Sequence, residues 1–130
     1  MKNLLIASLM LIGSSAVADT TLMNCVVPSE TNAVGLSVEI ADDQSVDFVT
    51  VNLVEKSAVS LFFSQMDKGA VAEQMKNGFL NLLALTEKTN QVDGVITNTG
   101  FLALGAESAD TFSGFLAANG NIYPLSCSTK

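Results

Sequence analysis

The chain has no histidine, no arginine and no tryptophan, and only one tyrosine, two prolines and two cysteines in 130 residues. Without histidine the commonest general base and metal ligand is missing, and with it Ser-His-Asp and Cys-His catalysis. Without arginine there is no planar fork for a phosphate or carboxylate substrate. Six lysines against 13 carboxylates give a formal charge of −7, which excludes nucleic acid, because phosphates are bound by clustered cations. One tyrosine and no tryptophan cannot build the two aromatic girdles of an outer-membrane barrel.

What is present begins with an address. Lys2 precedes an apolar run from Leu4 to Ile12, broken only by Ser8; Gly13, Ser14 and Ser15 end it, and Ala16-Val17-Ala18 offers small residues to a signal peptidase. The sequence predicts a cleaved secretory leader over 1–18, cut between Ala18 and Asp19, and one domain over 19–130. An apolar run of nine residues is far short of the ~20 that span a membrane. Asn24 before Cys25 does not suit a lipoprotein cleavage site. The short leader has a bacterial look, and the expected destination is the periplasm or the outside of the cell. Cleavage removes Lys2, so five lysines face 13 carboxylates and the net charge becomes −8.

Cys25 and Cys127 are the only thiols. In an exported chain such a pair is expected to form a disulfide, here joining the first and last apolar segments of the mature domain. A redox pair would sit two residues apart, and a metal site needs more ligands than two thiols.

Turn signals punctuate the rest: Asp42-Asp43-Gln44-Ser45, Asp67-Lys68-Gly69, Asn77-Gly78, Asp93-Gly94 and Asn119-Gly120. Between them, Val34, Leu36, Val38 and Ile40 alternate with smaller or polar residues, as do Val49, Val51 and Leu53, and Val59, Leu61 and Phe63. Val46 and Phe48 sit on the opposite parity from Val49, which predicts a β-bulge near Phe48-Val49. Phe79 to Leu85 is almost continuously apolar, as in a strand covered on both faces. Residues 70–76 read as a further strand, with a short helix as the alternative. The pattern predicts an all-β antiparallel meander of roughly eight to ten strands of five to eight residues, closed as a barrel or folded as a sandwich. Strands so short do not span a membrane, a second reason to set an outer-membrane barrel aside.

The chemistry left over is thin. Asp42, Asp43 and Asp47 lie close in sequence, but they sit at a turn, where aspartate is favoured for backbone reasons, and their spacing matches no calcium loop. No cofactor or metal is expected. Charge placement says more: seven carboxylates and no lysine lie between Asp19 and Glu55, while from Met75 onward four carboxylates meet three lysines. In a meander this predicts a one-sided acidic surface. The expected function is therefore a non-catalytic binding module for a cationic protein or peptide, an inhibitor being one form, with Glu39, Asp42, Asp43, Asp47 and Glu55 as the candidate face. A small apolar-ligand barrel lined by Phe62, Phe79, Phe101, Phe112 and Phe115 is the alternative, and a carboxylate-only hydrolase a weaker one.

Overall fold

A computed structural model describes residues 19–29, 34–56 and 58–130; the leader, with Ala18 of the expected cleavage site, lies outside the described residues. Eight strands and one helix follow in order: β1 (Asp19–Val26), β2 (Val34–Asp42), β3 (Val46–Glu55), β4 (Ala58–Asp67), α1 (Ala70–Lys76), β5 (Phe79–Val92), β6 (Val95–Ala106), β7 (Thr111–Ala118) and β8 (Asn121–Ser128). Each strand pairs antiparallel with the next and β8 returns to β1, closing an up-and-down barrel. Closure pairs the first and last strands with each other, the two that a sandwich would leave as open edges.

Period-two alternation sorts the side chains. Leu36 and Val38 on β2, Val49, Val51 and Leu53 on β3, and Leu80, Leu82 and Ala84 on β5 all point into one buried core, with Leu102, Leu116 and Leu125 opposite. The core is filled by side chains, as an eight-stranded barrel allows. Two hairpins turn on left-handed pairs, Asp93 (φ 51°) with Gly94 (φ 80°) and Asn119 (φ 55°) with Gly120 (φ 76°). Positive φ at both central residues gives the turn a twist that matches the strands it joins.

The seam between β1 and β8 is short, with register pairs Asn24↔Ser128, Cys25↔Cys127 and Val26↔Ser126. A disulfide bridges its middle pair from inside the core, joining residues 102 positions apart. The expected bond between the first and last strands is therefore what fastens the barrel shut. Gly114 serves closeness of a different kind: a Cβ there would overlap the carbonyl oxygen of Ala103 on β6.

Three expectations need correction. The β2–β3 register runs unbroken from Val34↔Glu55 to Asp42↔Asp47, so there is no bulge at Phe48-Val49. Val46 and Phe48 face outward, and the inward residue between them is Asp47. Second, residues 70–76 form a helix, not a strand. The buried Asp47 carboxylate accepts a hydrogen bond from the Val71 backbone N–H (3.0 Å), satisfying a donor that the first turn otherwise leaves orphaned. Gly78, at φ 88°, ends the helix and donates its N–H to the Met75 carbonyl (3.0 Å). Third, the strands run from 8 to 14 residues rather than five to eight, because β5 and β6 continue through the polar stretch from Glu87 to Asn98.

Candidate functional site

The five acidic candidates do not assemble into one face. Asp43 sits in the β2–β3 turn, where its carboxylate accepts hydrogen bonds from the Ser45 N–H (2.7 Å), the Ser45 hydroxyl (2.8 Å) and the Val46 N–H (3.3 Å). The Ser45 bonds, with smaller help from Val46 and the Lys68 charge, hold its pKa below the ordinary carboxylate value. The Lys68 ammonium also donates to the Asp43 carbonyl. Asp42 pairs with Asp47 through the ladder, and its side chain lies outside the description, as does that of Asp19. Asp47 is 3% exposed and holds α1, so it belongs to the interior. Glu55, eight residues along β3, is half-buried at the opposite end, roughly 26 Å away at ~3.3 Å per residue, where it accepts a bond from the Tyr123 hydroxyl (3.2 Å). Glu39 is half-buried between those ends, with the Ser37 hydroxyl at 3.5 Å.

The phenylalanines divide as well. Phe62 and Phe112 point into the core, while Phe79, Phe101 and Phe115 point outward. Strand parity alone separates them, so they cannot line one ligand chamber. Open space lies at the barrel ends instead. One cleft of about 700 Å³ sits beneath α1, against Leu22, Ile40, Val71, Met75 and Phe112. Another, of about 350 Å³, lies between β4 and the Thr86–Lys88 stretch of β5.

The outer wall of β5–β8 is the most unusual surface. β6, β7 and β8 contain no charged residue, and Glu87 and Lys88 are the only ones on β5. The ladder sets outward residues side by side: Leu83 beside Phe101, Phe101 beside Ala117 and Ala117 beside Ile122 in one row, with Asn81, Ala103, Phe115 and Pro124 in the next. Leu85 and Phe63 extend the patch onto β4, where Phe63 packs against Phe48 with ring centroids 5.9 Å apart. Leu83 is 51% exposed, Phe101 42% and Ile122 69%. Taking ~200 Å² for a free large side chain, these three with Phe79, Leu85 and Phe115 leave roughly 550 Å² of apolar surface on this wall. The largest apolar patch on a monomer is commonly ~300–600 Å² and is often a functional site, and this wall reaches the upper part of that range.

The opposite wall differs. Ser37, Glu39, Thr50 and Asn52 take outward positions on β2 and β3, alongside Val46, Phe48 and Val54 of β3. A lipid-facing barrel needs an apolar band all the way round and a polar lumen. Here the lumen is apolar and packed, and the outward side chains of β2 and β3 mix polar with apolar; strand length does not argue against a span.

The sequence carried a signal for this wall in the near-continuous apolar run from Phe79 to Leu85. Reading it as covered on both faces failed because, among the described residues, no second layer covers the outer side chains of this run; Leu80 and Leu82 are buried, whereas Leu83 is not. Comparison with known protein families, curated proteins and solved structures finds no match for this chain.

Proposed function

We propose that the mature chain is an exported, non-catalytic binding module that docks a basic partner protein through the outer wall of β5–β8. The observation that carries this reading is the contiguous apolar wall with no charge on β6, β7 or β8. Covering roughly 550 Å² of it releases on the order of 10 kcal/mol before association costs of ~4–15 kcal/mol are met. Affinity therefore depends on well-seated anchors, and Leu83 with its neighbour Phe101 supplies them. The mature chain's net charge of −8, from five lysines against 13 carboxylates, adds long-range attraction for a basic partner, which speeds encounter without forming the contact. The cationic partner expected from charge alone is retained, with docking assigned to an uncharged wall.

The test is binding kinetics with a captured partner. Leu83→Ser with Phe101→Ser should weaken affinity about 100-fold, largely through faster dissociation. Raising salt should slow association and leave dissociation nearly unchanged. A double variant that binds like the wild type would refute the reading.

A second reading has one observation in its favour. The cleft beneath α1 has an apolar lining suited to a small lipid-like ligand. Lipid recovered stoichiometrically from natively purified protein would support it, and lipid-free protein would count against it.

A further inference from the structure

One seam of the barrel is loosely sewn. Among the described residues β4 and β5 share a single register pair, Phe63↔Leu85, although β3–β4 and β5–β6 each share ten. No tight turn fixes their register, because α1 connects them.

Ladder geometry says which backbone groups face the gap. The Asn81 N–H donates to the Gln74 side chain of α1 (2.7 Å) and not to β6, and the β5–β6 register is unbroken from Phe79 to Leu85. Odd-numbered residues of that stretch therefore turn N–H and C=O toward β4, and Leu85 meets Phe63 in this way. Alternation along β4 then directs the backbone groups of Val59 and Leu61 to the same side. Beyond Phe63 no register pair meets them; the 350 Å³ cleft lies there instead.

Its two walls differ in how an exposed edge is protected. On β5 the register shifts between Leu85 and Asn90, and Glu87 and Lys88 add charge. The Thr86 N–H donates to the Thr89 hydroxyl (2.8 Å) and the Lys88 N–H to the Thr86 hydroxyl (3.0 Å), while the Lys88 carbonyl accepts from the Asn98 amide (3.1 Å). That edge satisfies itself. On β4, Ala58-Val59-Ser60-Leu61-Phe62-Phe63 holds no charge, proline or glycine, and its register with β3 is unbroken. Val59 and Leu61 are exposed. Bulges, lysines and prolines are the usual guards of an open edge, and this segment has none of them.

We infer that the β4 edge from Val59 to Phe63 is a strand-accepting site, taking an extended, uncharged segment of a partner protein by β-augmentation. Val59 and Leu61 supply its ladder hydrogen bonds, and Phe62 and the Thr86–Lys88 wall enclose it. The β4 edge is uncharged and the two charges across the cleft, Glu87 and Lys88, are of opposite sign, so the site favours a segment without net charge. The cleft is bounded by β4 on one side, by Thr86, Glu87 and Lys88 on the other and by Asn119 of the β7–β8 turn, so the edge of a second barrel would bring its neighbouring strands against Thr86 and Lys88. The inference goes beyond the outer-wall reading, because it stands on backbone groups and not on the side chains of β5–β8.

The experiment is residue-resolved amide hydrogen exchange on the oxidised mature chain. The probes are a blocked peptide of alternating Thr and Val and the same peptide N-methylated at alternate residues. In the free protein the Val59 and Leu61 amides should exchange about 100-fold faster than those of Ser60 and Phe62, which face β3. The unmethylated peptide at millimolar concentration should protect Val59 and Leu61, and the methylated one should not. Leu61→Pro, which deletes an N–H aimed at the cleft, should weaken peptide binding about tenfold or more, and Leu61→Lys should do the same without a change of backbone. Slow exchange at Val59 and Leu61 in the free protein, equal binding of both peptides, or no peptide-induced protection would overturn the inference. Protection that grows with protein concentration and needs no peptide would overturn it in favour of self-pairing. Loss of the outer-wall anchors Leu83 and Phe101 should leave peptide protection intact, which separates this test from the test of that reading.

Discussion

Leu82 and Leu83 are adjacent on β5, yet truncating them should have unequal consequences. Leu82 is 1% exposed, and Leu82→Ala leaves a hole in a packed barrel, at a cost of about 3 kcal/mol. Leu83 is 51% exposed, so Leu83→Ala gives up about half of the burial of three carbon groups, about 1 kcal/mol. For a domain of this size 1 kcal/mol moves the midpoint by roughly 4 °C, which gives drops of about 12 °C and 4 °C. Far-UV circular dichroism of the oxidised protein should read both, since there is no tryptophan to follow by fluorescence. Leu102→Ala and Phe101→Ala repeat the comparison on β6, where Leu102 is fully buried. Equal losses within either pair, or a larger loss at Leu83, would mean that the wall is covered in the folded molecule. An interaction surface could not then be argued from it.

Replacing Cys25 and Cys127 by serine should lower stability by about 4–5 kcal/mol, from the 102-residue separation they bridge; urea unfolding checks this, with the β1–β8 seam losing exchange protection first. Asp47→Ala should cost about 1–3 kcal/mol, because it strands the Val71 N–H, and faster exchange should be confined first to α1. Asp43 has a depressed folded pKa, so its contribution to stability is complete above the ordinary carboxylate pKa and fades as pH falls through the depressed value. Urea unfolding of the wild type and Asp43→Ala across that range should therefore converge at strongly acid pH, and a gap that persists there would refute the assignment.

Much of the barrel was written in local pattern. Val49, Val51 and Leu53 alternate as a half-buried strand must, and Asp93-Gly94 and Asn119-Gly120 announce turns that only left-handed residues make easily. Two of the misreadings, the bulge and the strand at 70–76, share one cause, a side chain answering to a distant partner. Asp47 looks like turn polarity until α1, 24 residues on, supplies the N–H it accepts. Residues 70–76 are too few to hold a helix alone, and it is that same carboxylate, with Val71 packed into the core, that sustains one. Strand length was underestimated where β5 passes through Glu87 to Val92, because residues exposed on both faces leave no hydrophobic period to read. The acidic face was inferred from closeness in sequence, whereas Asp43 and Glu55 stand at opposite ends of the hairpin that β3 belongs to, Asp43 bonded within its turn and Glu55 to Tyr123 on β8. The outer wall was visible in outline as the run from Phe79 to Leu85. Only closure of the sheet decides which half of such a run is covered.

Site-specific photo-crosslinking in the native compartment addresses the central claim, that the uncharged outer wall is the binding surface. A photoreactive phenylalanine analogue at Phe101 would be compared with one at Ser37, outward on β2 and four strands round the barrel from β6. The account predicts a discrete adduct with a basic protein from position 101 and none from position 37, with the 101 adduct lost when Leu83→Ser is added. Adducts of equal yield from both positions, or from position 37 alone, would contradict it.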